Sequence, residues 1–143
     1  MLIAIIGENC TGKSTLAAEI AKRIPANIIT GKDYLRLAKS EFEAKKLFTK
    51  QLAEAVSGEN IIYVIAQPDQ LALLPEGAVR ILAKAQLSDI KERFKARMHG
   101  VLPPPVERML EQHHGIFDSG SYDAVFDSSS ADPTAFCDAL TIC

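Results

Sequence analysis

The sequence has no tryptophan, and only three tyrosines, six phenylalanines and three cysteines among 143 residues. The cysteines, Cys10, Cys137 and Cys143, are odd in number and scattered. They offer neither a disulfide framework nor the spacing of a zinc site, and a reducing cytoplasm is the compartment that suits them. No apolar run approaches the roughly eighteen residues of a membrane-spanning helix. The apolar stretch at residues 2–6 is too short for the core of a secretory signal, and no basic segment precedes it, so neither anchor nor signal peptide is expected. A large excess of one charge is also missing: 16 Lys and Arg face 18 Asp and Glu, a net charge of -2. That balance argues against a surface built throughout to grip nucleic acid. Repeats, low-complexity tracts and linkers are absent too, so residues 1–143 are expected to form a single domain, as a monomer or homodimer. With 48% hydrophobic residues, a chain of this length can bury a core without staples.

What is present is an alternation of two periods. Leu2–Ile6 is a continuous apolar run, the pattern of a strand buried on both faces. From Lys13 to Ile24 the period becomes helical, with Leu16, Ala17, Ile20, Ala21 and Ile24 on one face, until Pro25 and Asn27 stop it. Asn27–Thr30 reads as a second strand, closed by Gly31. A long helical pattern follows from about Asp33, a candidate N-cap, to Val56, ended by Ser57-Gly58. Ile61–Ile65 is a third strand that Pro68 cannot continue, and Pro68–Leu74 a short helix. Val79–Ala85 is a fourth strand. A basic helix begins near Ser88, Pro103–Pro105 break the chain, and a second helix runs from about Pro105 to His114. Tyr122–Phe126 is a fifth strand, and Asp132-Pro133 opens a last helix to about Leu140. This order favours an α/β fold, a parallel sheet with helices on both faces. Such sheets bind ligands beyond the carboxyl ends of their strands, which directs attention to the loops after Ile6, Thr30, Ile65, Ala85 and Phe126.

The first of those loops carries a motif. Gly7-Glu8-Asn9-Cys10-Thr11-Gly12-Lys13-Ser14 satisfies G-x-x-x-x-G-K-[ST] in full. Gly7 and Gly12 permit backbone conformations that a Cβ penalises. The loop can then turn its N–H groups inward as a nest for anionic oxygens, reinforced by the dipole of the following helix. Lys13 brings a full charge to the β/γ-phosphates, and Ser14 a hydroxyl that suits Mg²⁺. Isolated matches to this pattern arise by chance as glycine-rich turns. Here it follows an apolar strand directly and opens an amphipathic helix, the context its chemistry needs.

With that motif and element order, the chain resembles the small P-loop kinases, the group of nucleoside monophosphate kinases and shikimate kinase. The likeness in element order spans most of the chain; it is specific in residues 2–15. It implies a three-layer P-loop NTPase fold with a five-stranded parallel sheet of order 2-3-1-4-5, ATP and Mg²⁺ as donor and cofactor, and a small-molecule acceptor near the second strand. It also implies a mobile lid after the fourth strand, placed here at residues 88–118. The nucleotide-binding residues it implies are Gly7, Asn9, Cys10, Thr11, Gly12, Lys13, Ser14 and Thr15, with Ser14 on the metal. Lys13, Arg93, Arg97 and Asp33 would be catalytic.

Arg93 and Arg97 are four apart and share a helix face. Between residues 80 and 100, Arg80, Lys84, Lys91, Arg93, Lys95 and Arg97 face only Asp89 and Glu92. Guanidinium groups stabilise the charge that phosphoryl transfer spreads over the transferring group; a solvated polar face is the other reading of the same run. Asp33 reads either as a group touching the acceptor or as a helix cap, and Tyr34 and Arg36 are weaker acceptor-site candidates. The third strand ends Ala66-Gln67-Pro68-Asp69, without the usual apolar run and acidic residue, and no Asp-x-Asp follows the second strand. These departures keep a second reading open, an ATP-binding regulatory module with little turnover. Cys10 is an oxidisable thiol or a tolerated variable position. His113-His114 with Glu111 suggests a metal site or a favourable helix C-terminus. Ser128–Ser130 is an adenine-side contact or a plain loop.

Overall fold

The computed structural model describes residues 1–140; Cys143 lies outside them. The first strand, β1 (Leu2–Ile6), sits at the centre of a five-stranded sheet of order β2-β3-β1-β4-β5, where β2 is Asn27–Thr30, β3 Ile61–Ile65, β4 Val79–Lys84 and β5 Ala124–Asp127. Every pairing is parallel: Leu2 lies opposite Ile61, Ile3 opposite Val79, Asn27 opposite Ile61 and Ile81 opposite Ala124. This is the fold class and strand order that the element pattern and the resemblance implied. The helices are α1 (Lys13–Arg23), α2 (Glu41–Ala55), α3 (Pro68–Leu71), α4 (Leu87–Arg97), α5 (Pro104–His113) and α6 (Pro133–Ala139).

The alternation of side chains along a strand divides the core into two layers. Ala4, Ile6, Tyr63, Ile65 and Leu82 face α2, which supplies Ala44, Phe48, Leu52 and Ala55 at helical spacing. Ile3, Ile5, Ile62, Val64 and Ala83 face the other way, toward Leu16, Ala17 and Ile20 of α1 and Cys137 of α6. With both faces covered, β1 and β3 are buried throughout, which explains their unbroken apolar sequences. A third, smaller cluster joins Cys10 and Ala85 to Ile90 and Leu110, packing α4 and α5 over the loop that follows β1.

The continuous helix expected over 33–56 is interrupted. Asp33–Leu37 is a short 3-10 helix, Ala38 is extended, and α2 starts only after Ser40, whose Oγ accepts the Glu43 N–H at 3.0 Å. The cap of α2 is therefore Ser40, not Asp33, and the local cause is that Ser40-x-x-Glu43 offers a better start signal inside the same apolar period. The Asp33 carboxylate instead accepts the Thr30 N–H at 3.3 Å. Tyr34, a weaker acceptor-site candidate, is buried and stacked on Phe48, ring centroids 4.9 Å apart and nearly parallel, with Tyr63 edge-on to Phe48. Smaller differences are the end of α3, which stops at Leu71, and β5, which starts two residues and ends one residue later than its apolar pattern suggests. Asp132 caps α6 as expected, accepting the Ala135 N–H at 3.1 Å.

Candidate nucleotide site

β1 delivers the chain to the carboxyl edge of the sheet at Gly7, where there is no room for a side chain. A Cβ there would run into the Ala83 carbonyl oxygen and come within 2.7 Å of Thr11 Oγ1. The loop then winds back on itself. Cys10 adopts φ 60° and Gly12 φ 87°, both left-handed, and Gly12 passes directly into α1, its carbonyl accepting the Leu16 N–H at 3.0 Å. The result is the concave turn expected from the motif, at the N-terminus of an eleven-residue helix with no acidic residue in its first turn.

Inside the loop the Glu8 carbonyl accepts two bonds, from Lys13 Nζ at 2.6 Å and Thr11 Oγ1 at 2.8 Å. The Lys13 ammonium is almost fully buried. Burial pushes its pKa down to about 8; Arg97 adds to the drop, while Cys10 and Glu8 act the other way. The lysine is thus held beside the nest with little water of its own.

Two cavities meet at this loop. The smaller, about 190 Å³, is walled by Asn9–Thr15, by Thr30 and Gly31 at the end of β2, by Val64 and Ala66, and by Arg97. The larger, about 430 Å³, is bounded by the loop, by Arg93 and Arg97 of α4, and by Ser128 and Pro133 from the β5–α6 connection. They share Cys10, Gly12, Thr15 and Arg97. Neither wall contains an Asp or Glu, so the charged groups facing this space are Lys13, Arg93 and Arg97.

Arg93 ties the walls together. Its Nη1 donates to the Cys10 carbonyl at 3.0 Å and to Ser128 Oγ at 2.9 Å, and its Nη2 to the Ser128 carbonyl at 3.2 Å. Lys91, from the same basic run, turns away and pairs with Glu107 at 3.2 Å and Glu111 at 2.7 Å, clamping α4 to α5. The charge run of α4 therefore divides: Arg93 and Arg97 face the cavities, and Lys91 stabilises the helical hairpin. Residues 98–103 are the whole of its connection.

The fold brings Gly7, Asn9, Cys10, Thr11, Gly12, Lys13, Ser14, Thr15, Arg93 and Arg97 to one place. It leaves Asp33 exposed past β2, outside the walls of both cavities. Asp69 lies in the first turn of α3, also outside them, while buried Gln70 accepts the Ala66 and Gln67 N–H groups at the end of β3. Among the described residues no group of three His, Cys, Asp or Glu is arranged to hold a metal ion, which removes the metal reading of His113-His114. His114 instead meets Glu8, its Nδ1 3.2 Å from Oε1. The Ser128 and Glu8 side chains make the contacts around this loop that are hardest to find from sequence: Ser128 carries only a weak signal in its place after β5, and Glu8 occupies a position the motif leaves free.

No protein-family model matches the chain, and no curated protein matches it in sequence. Solved structures do match in shape. The shikimate kinase of Acinetobacter baumannii, solved with shikimate, has a TM-score of 0.64 at 13% identity, covering 95% of this chain and 88% of its own. The chain has the fold of the small P-loop kinases. Two further examples of this fold are the YorR protein of Bacillus subtilis, solved with phosphorylated GDP (TM-score 0.63, 20% identity, 96% and 92% covered), and an uncharacterized protein from Eubacterium ventriosum (0.69, 14%, 96% and 94%). At these identities the likeness is one of fold. Among the described residues no helix of this P-loop kinase fold is long and apolar enough to cross a membrane.

Proposed function

We propose that the protein is a phosphotransferase that moves the γ-phosphoryl group of ATP to a small-molecule acceptor, within a reducing cytoplasm. The observation that carries this reading is the convergence of the phosphate loop, Lys13, Arg93 and Arg97 on two adjoining cavities with no carboxylate in their walls. The N–H groups of residues 9–15 and the Lys13 ammonium hold the β- and γ-phosphates, and the larger cavity takes the nucleoside. Arg97, common to both cavities, faces the transferring group, and Arg93 closes the nucleoside side. The bond from the γ-phosphorus to the bridging oxygen breaks, one to the acceptor oxygen forms, the acceptor's proton is released, and ADP leaves. Charge neutralisation and alignment are the chain's whole contribution.

The donor set suits Mg²⁺. Ser14, at the start of α1, would hold the ion through its hydroxyl. Bound there, it would supply charge neutralisation for the phosphate groups. Asp33, three residues beyond its Thr30 partner, orients the acceptor on the β2 side, and α4–α5, residues 88–118 with their flanks, serve as the lid.

A second reading, an ATP-binding regulatory module with little turnover, is favoured by one observation: no acidic residue from the end of β3 lines the phosphate cavity. ADP release from Mg-ATP with pooled nucleoside monophosphates, nucleosides and hydroxylated metabolites separates the two, with Lys13→Ala beside it as control. Acceptor-dependent ADP that vanishes in the variant supports the phosphotransferase. Tight ATP binding with no ADP above the control overturns it in favour of the module.

A further inference from the structure

Glu8 poses a problem for a phosphate site. The motif does not ask for a carboxylate at its second position, and an anion there repels a polyphosphate. Yet the Glu8 side chain is only 10% exposed, a costly state for a carboxylate without partners. Glu8 lines neither cavity, and its partners come from the turn after α5. Oε1 accepts the Gly115 N–H at 3.2 Å and faces His114 Nδ1 at the same distance. Gly115 has φ 81°, a left-handed conformation that favours glycine, and in it the N–H meets the Glu8 carboxylate. The Glu8 carbonyl holds Lys13 Nζ and Thr11 Oγ1. Two residues on, the Cys10 carbonyl is held by Arg93.

We propose that Glu8 is a positioning residue: its carboxylate fastens the phosphate loop to the turn after α5, fixing the carbonyl from which Lys13 is presented and directing its own charge away from the phosphates. The loop is then secured on both sides, at Glu8 by the turn after α5 and at Cys10 by α4, so these contacts hold the helical hairpin against the phosphate loop in this conformation. The consequence for phosphate binding rests on the nucleotide-site reading above; the tie itself does not.

Glu8→Ala and Glu8→Gln test it, the second keeping an oxygen that can accept the Gly115 N–H. In the nucleotide-free protein, amide hydrogen exchange at Gly115 and at residues 9–14 should rise together in Glu8→Ala and stay near wild type in Glu8→Gln. Equilibrium titration with Mg-ATP should show affinity about tenfold weaker for Glu8→Ala and largely restored in Glu8→Gln. Unchanged exchange at Gly115 in Glu8→Ala would overturn the proposal. So would a lowered melting temperature with unaltered ATP affinity, since that is a structural role only. If the wild type binds no ATP, the nucleotide reading fails, while the exchange comparison still decides whether Glu8 ties the loop to the turn.

Discussion

Arg93 spans from the phosphate loop to Ser128, its guanidinium bonded to the Cys10 carbonyl on one side and to both the hydroxyl and the carbonyl of Ser128 on the other. A planar fork can serve these acceptors together, and a lysine ammonium of similar reach cannot hold the same geometry. Arg93→Lys should therefore weaken Mg-ATP binding almost as much as Arg93→Ala, by about tenfold or more. Isothermal titration of the two variants checks this; affinity retained in Arg93→Lys would show that charge alone matters.

Among the described residues Arg97 makes no comparable bond, and it is common to both cavities. Its contribution should appear in turnover more than in binding. Arg97→Ala is expected to lower kcat by about a hundredfold or more with a smaller change in KM for ATP, as for groups that act on transition-state charge. A raised KM with kcat unchanged would assign it to ground-state binding instead.

Lys13 is held at a cost. Its pKa falls from 10.5 in water to about 8 in the fold, so between these values the unfolded chain binds more protons than the folded one. By linkage, this residue opposes folding by about 3 kcal/mol below pH 8, and the penalty is relieved as pH rises through 10.5. Lys13→Met should thus raise the melting temperature by several degrees while abolishing ATP binding; calorimetry of both proteins at pH 7 tests the pairing. The wild type should also bind Mg-ATP less tightly above about pH 8, with proton uptake on binding, visible as a buffer-dependent heat.

Two substitutions probe the scaffold. Gly7→Ala should be severely destabilising or prevent folding, because its new methyl meets the Ala83 carbonyl, which the sheet holds in place. Phe48→Ala removes the ring between Tyr34 and Tyr63 and should cost about 3–5 kcal/mol in urea denaturation.

Period and motif were enough to read the sheet, the phosphate loop and the facing arginines, because each is written locally: apolar runs for strands, glycine spacing for the turn, a four-residue interval for Arg93 and Arg97. The break before α2 was missed because Ala38 and Ser40 fall within an apolar pattern that continues on both sides. Tyr34 reads from the sequence as a weaker acceptor-site candidate beside Asp33; its ring joins an aromatic stack that only the packing of α2 creates. The Glu8–Gly115 bond joins residues 107 positions apart, and a free position in a motif carries no sign of a distant partner.

The central place of β1 has a consequence for how the protein comes to be. Leu2–Ile6 has no partner nearby in the chain: its neighbours are Ile61–Ile65 on one side and Val79–Leu82 on the other. During synthesis these five apolar residues emerge long before either partner, and have no strand to pair with until Ile61–Ile65 have been made. The strand that aims the phosphate loop is thus also the segment most in need of shelter while the chain is unfinished. The walls of the candidate site are complete only when Ser128 has been made and can meet Arg93.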